Sequence, residues 1–499
     1  MSEYTSKKLN VNILFSIIQI LISAFVLFCL YKFAINKVGI KEFGIWSVVS
    51  TSITSLSILN YGFSGSMVKY IATYQSKGDA HKVKRLIDTS VISIIIFSII
   101  LSSLGYLLFS IVIPFLIKAP ASLLLAQSLI KICLVTFCIT IVSNAFQSAL
   151  EGLNYISTKS VINCIVSVML LIFSFFFLEK FGLIGLGFAY LAANIIGLIS
   201  SVVTLSIKFP AFSLLKCKWD GELFKETLKY NYNFQVISLF SLLSDPVTKL
   251  TLTKFGGTEY AGIYELASKL IMQIRNVLAT ANQALVPIFA SLAVSYSEKR
   301  EDYFKNSFFY MFIISTLLFF SVIAFAPMLS VWWLKGINYT FIFFLDLITV
   351  SWYINSVAMP AYFANLGSGD MKWNLRSHVG MGVANVLLSL VIGFFFKPVF
   401  ISLGWFFSLS FFSVLIIVYY NKDNHIRLKE IMPTENWIYL AFNIGFSFIL
   451  TLFFLNFYSY SIAVSIMVAV FYMAAQVYML FRNAVGKNIK TQLIKYIGQ

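Results

Sequence analysis

Basic residues inside long apolar stretches are the first candidates for chemistry in this chain, because a charge is costly there and normally has a function. Six lie within these stretches or at their ends: Lys32, Lys69, Lys131, Lys249, Lys269 and Arg275. Arg275 lies 13 residues into the stretch 262–290, a depth of roughly 20 Å along a helix. Lys131 lies nine residues into 122–147, roughly 13 Å deep on the same geometry. Neither has an acidic residue three or four positions away.

Guanidinium and ammonium groups away from water pair strongly with phosphate and carboxylate oxygens, so Arg275 and Lys131 are candidates for an anion-binding surface. The sequence leaves open that each is only a hydrogen-bonding residue between helices. Lys32 and Lys69 lie near the ends of their apolar stretches, where long side chains reach the membrane interface. At an offset of 217 residues, Lys32 aligns with Lys249. All six basic residues form the predicted anion-binding set.

Two acidic residues in apolar stretches have a lysine four positions later. Asp245 precedes Lys249 and Glu265 precedes Lys269, so each pair can neutralise itself on one helix face. The functional alternative is that an acid releases its lysine when protonated, which would couple an ion gradient to transport. Pro246 predicts a kink beside Asp245, because proline removes a hydrogen bond within a helix. Asp245 and Glu265 are therefore candidate ion-coupling residues, and Asp346 is a third acid that could line the same cavity.

Other chemistries have little support in the sequence. Four of the five cysteines lie in apolar runs and the three histidines are scattered, which argues against disulfides and against a metal site. No glycine-rich loop carries the lysine and hydroxyl residue of a phosphate-binding motif. We therefore expect no cofactor, no metal and no built-in ATPase, with energy supplied by an ion gradient or by the substrate gradient.

The composition excludes a soluble protein. Of 499 residues, 59% are hydrophobic and 11% are charged, and the mean hydropathy is +0.86, whereas soluble domains contain roughly 25% charged residues. The net charge of +17 comes from lysines and arginines in short stretches between apolar runs, which differs from the basic surface of a nucleic-acid-binding protein. The membrane is the expected partner, and nucleic acid is not.

Hydropathy predicts an all-α membrane protein of about 14 transmembrane helices, each near the roughly 20 residues that a bilayer requires. The runs are 11–35, 44–68, 86–113, 122–147, 161–178, 184–207, 232–253, 262–290, 307–334, 340–365, 377–396, 399–420, 436–456 and 460–481. The termini and the connections after even-numbered runs hold 24 of the 37 lysines and arginines, and the other connections hold seven. Positive residues favour the cytoplasmic side, so both termini are predicted to be cytoplasmic.

The chain also repeats itself. Gly39–Trp46 resembles Gly257–Tyr264, with Gly44 aligned to Gly262 at an offset of 218. Three further matches have an offset of 217: Lys159-Ser160 with Arg376-Ser377, Gly152 with Gly369, and Leu186–Phe188 with Leu403–Trp405. Six spans per copy predict a parallel repeat, with an N-lobe over 1–215 and a C-lobe over 216–432 around a central cavity. Residues 433–499 then form a two-helix hairpin with a cytoplasmic tail.

The repeated motifs carry a resemblance to a known family. They are the turn Gly39–Trp46, the segment Leu59–Ser64 with Lys69–Ala72, the pair Glu151-Gly152, and Gly256–Leu270 with its Ala261–Tyr264 core. The chain resembles Wzx-type polysaccharide biosynthesis flippases of the multidrug/oligosaccharidyl-lipid/polysaccharide exporter superfamily over essentially its whole length. Family members often carry an acidic residue where this chain has Asn60.

The resemblance implies a function in the inner membrane of a bacterium. Such a flippase moves an undecaprenyl-diphosphate-linked oligosaccharide, as a unit of O-antigen, capsule or a related glycan, from the cytoplasmic to the periplasmic leaflet. Its partners are membrane lipids, this lipid-linked substrate, a counter-transported proton or sodium ion, and other membrane proteins of glycan assembly. Relatives have a cationic central cavity, in agreement with the six basic residues.

Three alternatives stay open at this point. A multidrug antiporter of the same superfamily would export organic cations, but its cavity should offer acids and aromatic rings rather than basic residues. A membrane glycan polymerase or ligase would need chemistry on a long periplasmic loop, whereas the longest connection here, 208–231, is predicted to be cytoplasmic, so we expect no enzyme. A lipid scramblase without ion coupling is the third.

Overall fold

The computed structural model describes residues 3–58, 61–213, 218–228, 243–283, 285–295, 297–457 and parts of 467–479. In these ranges the regular structure is helical. We number the helices in chain order: α1 Glu3–Ile58, α2 Tyr61–Ser76, α3 Ala80–Leu116, α4 Pro120–Gly152, α5 Ile156–Phe181, α6 Leu183–Lys208, α7 Asp245–Gly256, α8 Thr258–Gln283, α9 Leu285–Ser295, α10 Ser297–Leu334, α11 Tyr339–Ser368, α12 Lys372–Phe395, α13 Ser402–Asp423, α14 Leu428–Ile431 and α15 Thr434–Phe457. A 3₁₀ helix, Pro398–Ile401, precedes α13.

Ten helices within the described ranges are long and apolar enough to cross a membrane. One of them, Leu14–Leu56, contains most of the first predicted run and much of the second. Residues 232–242 of the seventh predicted run and most of the fourteenth lie outside the described residues. Helix α8 is not among the ten, and it carries four charged residues. The predicted all-α, multi-pass membrane fold is confirmed.

Helix boundaries follow from local chemistry. Asp79 caps α3 by accepting a hydrogen bond from the Lys82 backbone N–H at 2.9 Å, and Asn338 caps α11 in the same way with Phe341. Side-chain oxygens at this position satisfy backbone N–H groups that have no partner within the helix. Helix α11 ends at Ser368 and is followed by Gly369, which has the left-handed backbone that favours glycine after a helix.

The described helices form two compact units, Met1–Gln273 with His378–Ser408, and Ile274–Ser377 with Leu409–Gln499. In the first unit, α1 packs on α5, α3 on α4, and α6 on both α4 and α5. Small polar residues lie in these contacts, for example Ser23 and Ser167, whose hydroxyl oxygens are 2.9 Å apart. Such residues let helix backbones approach closely in a bilayer, where water provides no driving force for helix association.

In the second unit, α10 packs on α11 and α15, and α9 packs on α11. The Ser447 hydroxyl donates to the Phe320 carbonyl at 2.9 Å, and the Thr451 hydroxyl donates to the Ile323 carbonyl at 3.0 Å, so that α15 is hydrogen-bonded along α10. Beside them, a buried cluster contains Leu450, Phe454 and Tyr472. The lobe boundaries expected from the repeat, 1–215, 216–432 and 433–499, stay a prediction.

Candidate functional site

Two glycines with the same unusual backbone form the corners of the repeated motif. Gly39 has φ 80° and ψ 163° within α1, and Gly257 has φ 85° and ψ 178° between α7 and α8. Positive φ strains a residue with a side chain, so glycine is required at both corners. The two positions are 218 residues apart, which is the offset of the Gly44 and Gly262 match. Each corner therefore directs the following helix in the same way.

The helices that follow the two corners touch through their glycines. A Cβ atom on Gly44 would lie 1.7 Å from the carbonyl oxygen of Thr258 and 3.2 Å from the backbone nitrogen of Gly262. A Cβ atom on Gly262 would lie 2.7 Å from the Ile40 carbonyl oxygen. No side chain fits in either place, so the two copies of the motif are in backbone contact within the first unit.

Next to this contact lies a network of four charged residues, which we call the α7–α8 charge network: Asp245, Lys249, Glu265 and Lys269. The Lys249 ammonium is 2.7 Å from Asp245 Oδ2 and 2.7 Å from Glu265 Oε2, and it bridges α7 and α8. The Lys269 ammonium is 3.6 Å from Glu265 Oε1. Both predicted pairs on single helices are present, and Lys249 joins them.

Burial differs sharply within the α7–α8 charge network. The side chains of Lys249 and Glu265 are 5% and 1% exposed, whereas those of Asp245 and Lys269 are 35% and 38% exposed. Removing one partner of a buried ion pair typically costs about 3–5 kcal/mol, because the other charge stays buried without compensation. With two carboxylates and two ammonium groups, the network is neutral in its charged form.

Helix α1 contributes two hydroxyl groups to the same carboxylate. Tyr31 Oη donates to Glu265 Oε1 at 3.4 Å, and Ser47 Oγ donates to Glu265 Oε2 at 3.3 Å. Ser47 is the counterpart of Glu265 at an offset of 218, and Tyr31 is the counterpart of Lys249. The offset of 218 set by the two corner glycines therefore aligns Lys249 with Tyr31. The offset of 217 aligns Lys249 with the next residue, Lys32.

Sequence reasoning identified the four charged residues but missed Tyr31, Ser47 and the link between Lys249 and Glu265. The repeat register held a signal for Ser47, because Ser47 and Glu265 are 218 positions apart and meet where the two copies of the motif touch. Pro246 stands in the first turn of α7, where proline is compatible with helix geometry. Ser244 is not helical, and residues 229–242 lie outside the described residues, so the kink expected at Pro246 stays a prediction.

Arg275 lies on the same helix, α8, and belongs to the second unit. Its guanidinium carbon is 5.3 Å from the centre of the Trp352 ring, within the range of a cation–π interaction. Its Nη1 donates to the Asn276 side-chain oxygen at a long 3.5 Å. The side chain is partly exposed. Arginine has five N–H donors in one plane, so stacking on a ring is compatible with hydrogen bonds at the guanidinium edge.

Three other predicted basic residues, Lys131, Lys32 and Lys69, are not members of the α7–α8 charge network. Lys131 is exposed on α4, and Lys32 is partly buried on α1. Lys69 is exposed on α2, with its ammonium 5.4 Å from the Tyr70 ring centre. None of these three is brought to Glu265 or Asp245 by an ion pair in the described part of the chain.

Asp346 is the remaining acid of interest. It lies in α11 of the second unit, and its Oδ1 is buried without a hydrogen-bond partner among the described residues. For metal binding, the described residues contain no group of three histidine, cysteine or acidic side chains that could hold an ion. The four described cysteines are free thiols, and Cys217 lies outside the described residues.

Several solved structures share this fold. One is the inward-facing conformation of a multidrug resistance MATE family transporter of the MOP superfamily, with 14% identity, 80% of this chain and 94% of that chain covered, and a TM-score of 0.65. A second is the lipid II flippase MurJ in an inward closed conformation, with 14% identity, 89% and 98% covered, and a TM-score of 0.66. A third is a MOP superfamily transporter from Pyrococcus furiosus Vc1 (DSM3638), described as having a binding pocket of reverse polarity, with 14% identity, 83% and 95% covered, and a TM-score of 0.61.

These likenesses show the fold: the described helices have the multi-pass fold of these solved transporters of the MOP superfamily. A comparison with curated proteins gives no match. The family model described as "Polysaccharide biosynthesis protein" matches residues 7–293, which is more than half of the chain. The chain belongs to the polysaccharide biosynthesis protein family, as the sequence motifs predicted.

Proposed function

We propose that this protein is a flippase that carries an undecaprenyl-diphosphate-linked oligosaccharide from the cytoplasmic to the periplasmic leaflet of a bacterial inner membrane. It works by alternating access, with both termini in the cytoplasm. The polysaccharide biosynthesis family supports a glycan cargo, and the shared fold with a lipid II flippase supports movement of a lipid-linked one. Proteins with one fold can carry different cargoes, so the fold alone does not distinguish an anionic from a cationic cargo. We distinguish them by the charges at the site.

The observation that carries the proposal is the state of the acids in the α7–α8 charge network. Glu265 is 1% exposed and is bound by two lysines, and Asp245 is bound by Lys249. An organic cation would have to displace these lysines, at the cost of leaving a buried ammonium group without its counter-charge. An anionic cargo that binds first at Arg275 meets no such cost, because Arg275 is not a member of the α7–α8 charge network. The neutralised acids therefore favour a diphosphate or an acidic sugar over a cationic drug.

Arg275 is the residue we assign to the anionic part of the cargo, with Lys269 and Lys131 as further contacts. Arg275 presents a planar guanidinium held over Trp352, and this shape suits bidentate contact with phosphate oxygens. Lys269 is the more exposed lysine of the network. Lys249 is buried between two carboxylates, so its role in the proposal is to hold Glu265 rather than to contact cargo first. Lys32 and Lys69 stay predicted contacts.

Ion coupling is proposed to act through Glu265 and Asp245. Protonation of Glu265 would remove the charge that holds Lys249 and Lys269, and the ion pair that connects α7 with α8 would break. A buried ion pair that breaks on protonation links proton occupancy to helix movement. The same logic applies to a sodium ion that competes with Lys249 for the two carboxylates.

One observation favours the alternative, a multidrug antiporter that exports organic cations. Asp346 has a buried carboxylate oxygen without a hydrogen-bond partner in the described part of the chain, and such an oxygen could accept a proton or a cationic group. If Asp346 governs transport of a cation, the wild type should export the dye and should not transfer lipid-linked sugar. Asp346→Asn should then abolish the dye efflux.

The deciding experiment uses the purified protein in liposomes. A fluorescent undecaprenyl-diphosphate oligosaccharide is placed in one leaflet, and its transfer is compared with efflux of an organic-cation dye in parallel vesicles. We expect sugar-lipid transfer above that of protein-free liposomes and no dye efflux. Dye efflux without sugar-lipid transfer would refute the flippase and establish the antiporter. Transfer that is independent of any ion gradient would remove the coupling step and point to a scramblase.

A further inference from the structure

Helix α10 of the second unit has a proline inside it, and the function proposed above makes no use of this feature. Pro327 is buried, and α10 continues through it as one helix from Ser297 to Leu334. Proline has no N–H, so the carbonyl of Ile323, four residues earlier, lacks its usual hydrogen bond within the helix. Helix α10 is a candidate membrane span, and a backbone carbonyl without a donor is costly in a bilayer, where no water replaces the missing N–H. Ile323 therefore needs a partner from outside α10.

Helix α15 supplies that partner. The Thr451 hydroxyl donates to the Ile323 carbonyl at 3.0 Å, and serine and threonine side chains of neighbouring helices commonly satisfy a carbonyl that a proline frees. Apolar packing surrounds this bond, because Phe454 of α15 lies in the buried cluster against which Met328 of α10 packs. Residues 433–499, which include α15, are predicted to lie outside both copies of the repeat. This added helix thus compensates for the hydrogen bond that α10 lacks.

The Thr451 hydroxyl has a second acceptor, which makes its bond to α10 easy to break. The carbonyl of Ser447, on α15 itself, is 2.9 Å from Thr451 Oγ1, and threonine in a helix can donate to the carbonyl four residues before it. A hydroxyl carries one hydrogen, so it can release Ile323 and still donate to Ser447. Separation from α10 therefore costs Thr451 no hydrogen bond, and only the Ile323 carbonyl loses a partner.

The part of α10 beyond the proline is tied to the turn that follows it. Ser330 Oγ donates to the Gly336 carbonyl at 2.8 Å and accepts a hydrogen bond from the Asn338 backbone N–H at 2.8 Å. From Pro327 to its end, α10 makes about two turns. These two turns are fastened to the start of α11, and at the proline they lack one backbone bond to the rest of α10.

We propose that α10 bends at Pro327 and that Thr451 is the brace of this hinge. The hydrogen bond from Thr451 to Ile323 is made while α10 is continuous, and it breaks when the last two turns tilt. Proline is one of the few causes of a helix bend of more than about 20°. At 1.5 Å per residue, such a tilt displaces Trp332, five residues beyond the proline, by about 3 Å. The hinge gives the second unit two forms, and its use in transport rests on the alternating access proposed above.

The first test measures the unfolding equilibrium of the full-length protein in mixed micelles with increasing dodecyl sulfate. Thr451→Val keeps the shape of the side chain and removes its donor. We expect the equilibrium constant for folding to fall about threefold or more, as for other hydrogen bonds between membrane helices. Pro327→Ala returns an N–H to the Ile323 carbonyl, so Thr451→Val should cause no further loss in that background. An equal loss with and without Pro327 would overturn the brace.

The matched control for this test is Ser447→Ala. Ser447 donates to the carbonyl of Phe320 at 2.9 Å, also between α15 and α10. Ala324, four residues after Phe320, provides an N–H for that carbonyl whether residue 327 is proline or alanine. The effect of Ser447→Ala on the folding equilibrium should therefore be the same in both backgrounds.

The second test measures the movement itself, by double electron–electron resonance between pairs of spin labels. The labels are placed on cysteines in a variant whose five native cysteines are replaced by alanine; the unfolding test needs no such replacement. One pair, Trp332→Cys with Asn456→Cys, connects α10 beyond the proline with the end of α15. The control pair, Tyr310→Cys with Ile438→Cys, connects the same two helices before the proline. All four of these side chains are exposed.

The two pairs should respond differently to the variants at the hinge. For the pair beyond the proline, we expect Thr451→Val to add a population about 3 Å from the wild-type distance. Pro327→Ala should remove that population, because the restored backbone bond keeps α10 continuous. The control pair should keep its distance in every variant.

Two distance results would overturn the hinge. One is an identical distance distribution beyond the proline in the wild type and in both variants, and the other is an equal change in the control pair, which would mean that α10 moves as a whole. In the liposome assay, Pro327→Ala should slow sugar-lipid transfer about threefold or more, since one further backbone bond resists bending; transfer at the wild-type rate would overturn the role in transport. If the wild type transfers no sugar-lipid, the flippase proposal fails, and the unfolding and distance measurements still decide the hinge.

Discussion

The strongest prediction concerns Lys249, the residue that bridges the two carboxylates of the α7–α8 charge network. Lys249→Met keeps much of the length of the side chain but removes its charge. Glu265 would stay buried, with Lys269 at 3.6 Å as its remaining cation and two long hydrogen bonds, at 3.3 and 3.4 Å, from Ser47 and Tyr31. These contacts are weaker than the 2.7 Å ion pair that is lost.

Removal of one partner from a buried pair costs about 3–5 kcal/mol. Because Lys269 still offers partial compensation, we expect Lys249→Met to lower the free energy of unfolding by about 3 kcal/mol, at the lower end of that range. The second carboxylate of the network adds little to the loss, because Asp245 is 35% exposed and can be hydrated. The assay is unfolding in mixed micelles with increasing dodecyl sulfate, followed by circular dichroism.

A double variant and a surface control make the result interpretable. Lys249→Met combined with Glu265→Gln removes both charges, and replacement of a complete buried pair is often close to neutral. We expect this protein to recover to within about 1 kcal/mol of the wild type. The control is Lys37→Met, which breaks an ion pair of 3.1 Å to Glu179 with side chains 42% and 67% exposed.

A surface pair is worth at most about 1 kcal/mol, so the control should lose no more than that. The reasoning would be refuted if Lys249→Met unfolded like the wild type, or if the double variant were as unstable as the single one. The first result would mean that Glu265 is not charged in the folded protein. The second would mean that lost packing, rather than the buried charge of Glu265, causes the instability.

Three further predictions concern Gly44, Arg275 and the two acids of the α7–α8 charge network. Gly44→Ala should destabilise the protein by at least about 1 kcal/mol and reduce transport, because its Cβ would lie 1.7 Å from a backbone carbonyl oxygen. The control is Gly65→Ala, whose Cβ would meet nothing within 4 Å, and it should leave both stability and transport unchanged. Arg275→Ala should lower surface glycan in a deletion strain about tenfold at equal protein level, since the proposed charge-assisted contact to cargo is lost. Arg275→Lys should restore part of the surface glycan. Full export by Arg275→Ala would remove the role proposed for Arg275. Asp245→Asn and Glu265→Gln should each abolish the dependence of transfer on a pH or sodium gradient in liposomes, and coupling that persists in both variants would exclude these acids.

Much of the fold could be predicted from the sequence, because its determinants are local. Hydropathy over about 20 residues decides whether a helix can stay in a bilayer, so the all-α membrane class followed from the apolar runs. The two corner glycines were also visible, because their motif occurs twice and positive φ leaves little choice of residue. Pairs such as Asp245 with Lys249 were also predictable, because residues four positions apart on a helix are neighbours.

The tertiary structure alone decided which partners the charges choose. Lys249 binds Glu265 of the next helix as closely as Asp245 of its own, and Ser47 reaches the same carboxylate from a position 218 residues away. Hydropathy and helical spacing carry no information about contacts between distant segments, which depend on how closely two backbones approach. Here that approach is set by glycines, since a Cβ atom on Gly44 or Gly262 would overlap the opposite backbone. The sequence by itself determined the elements and their charges, and the packing of the two corners determined that these charges form one network.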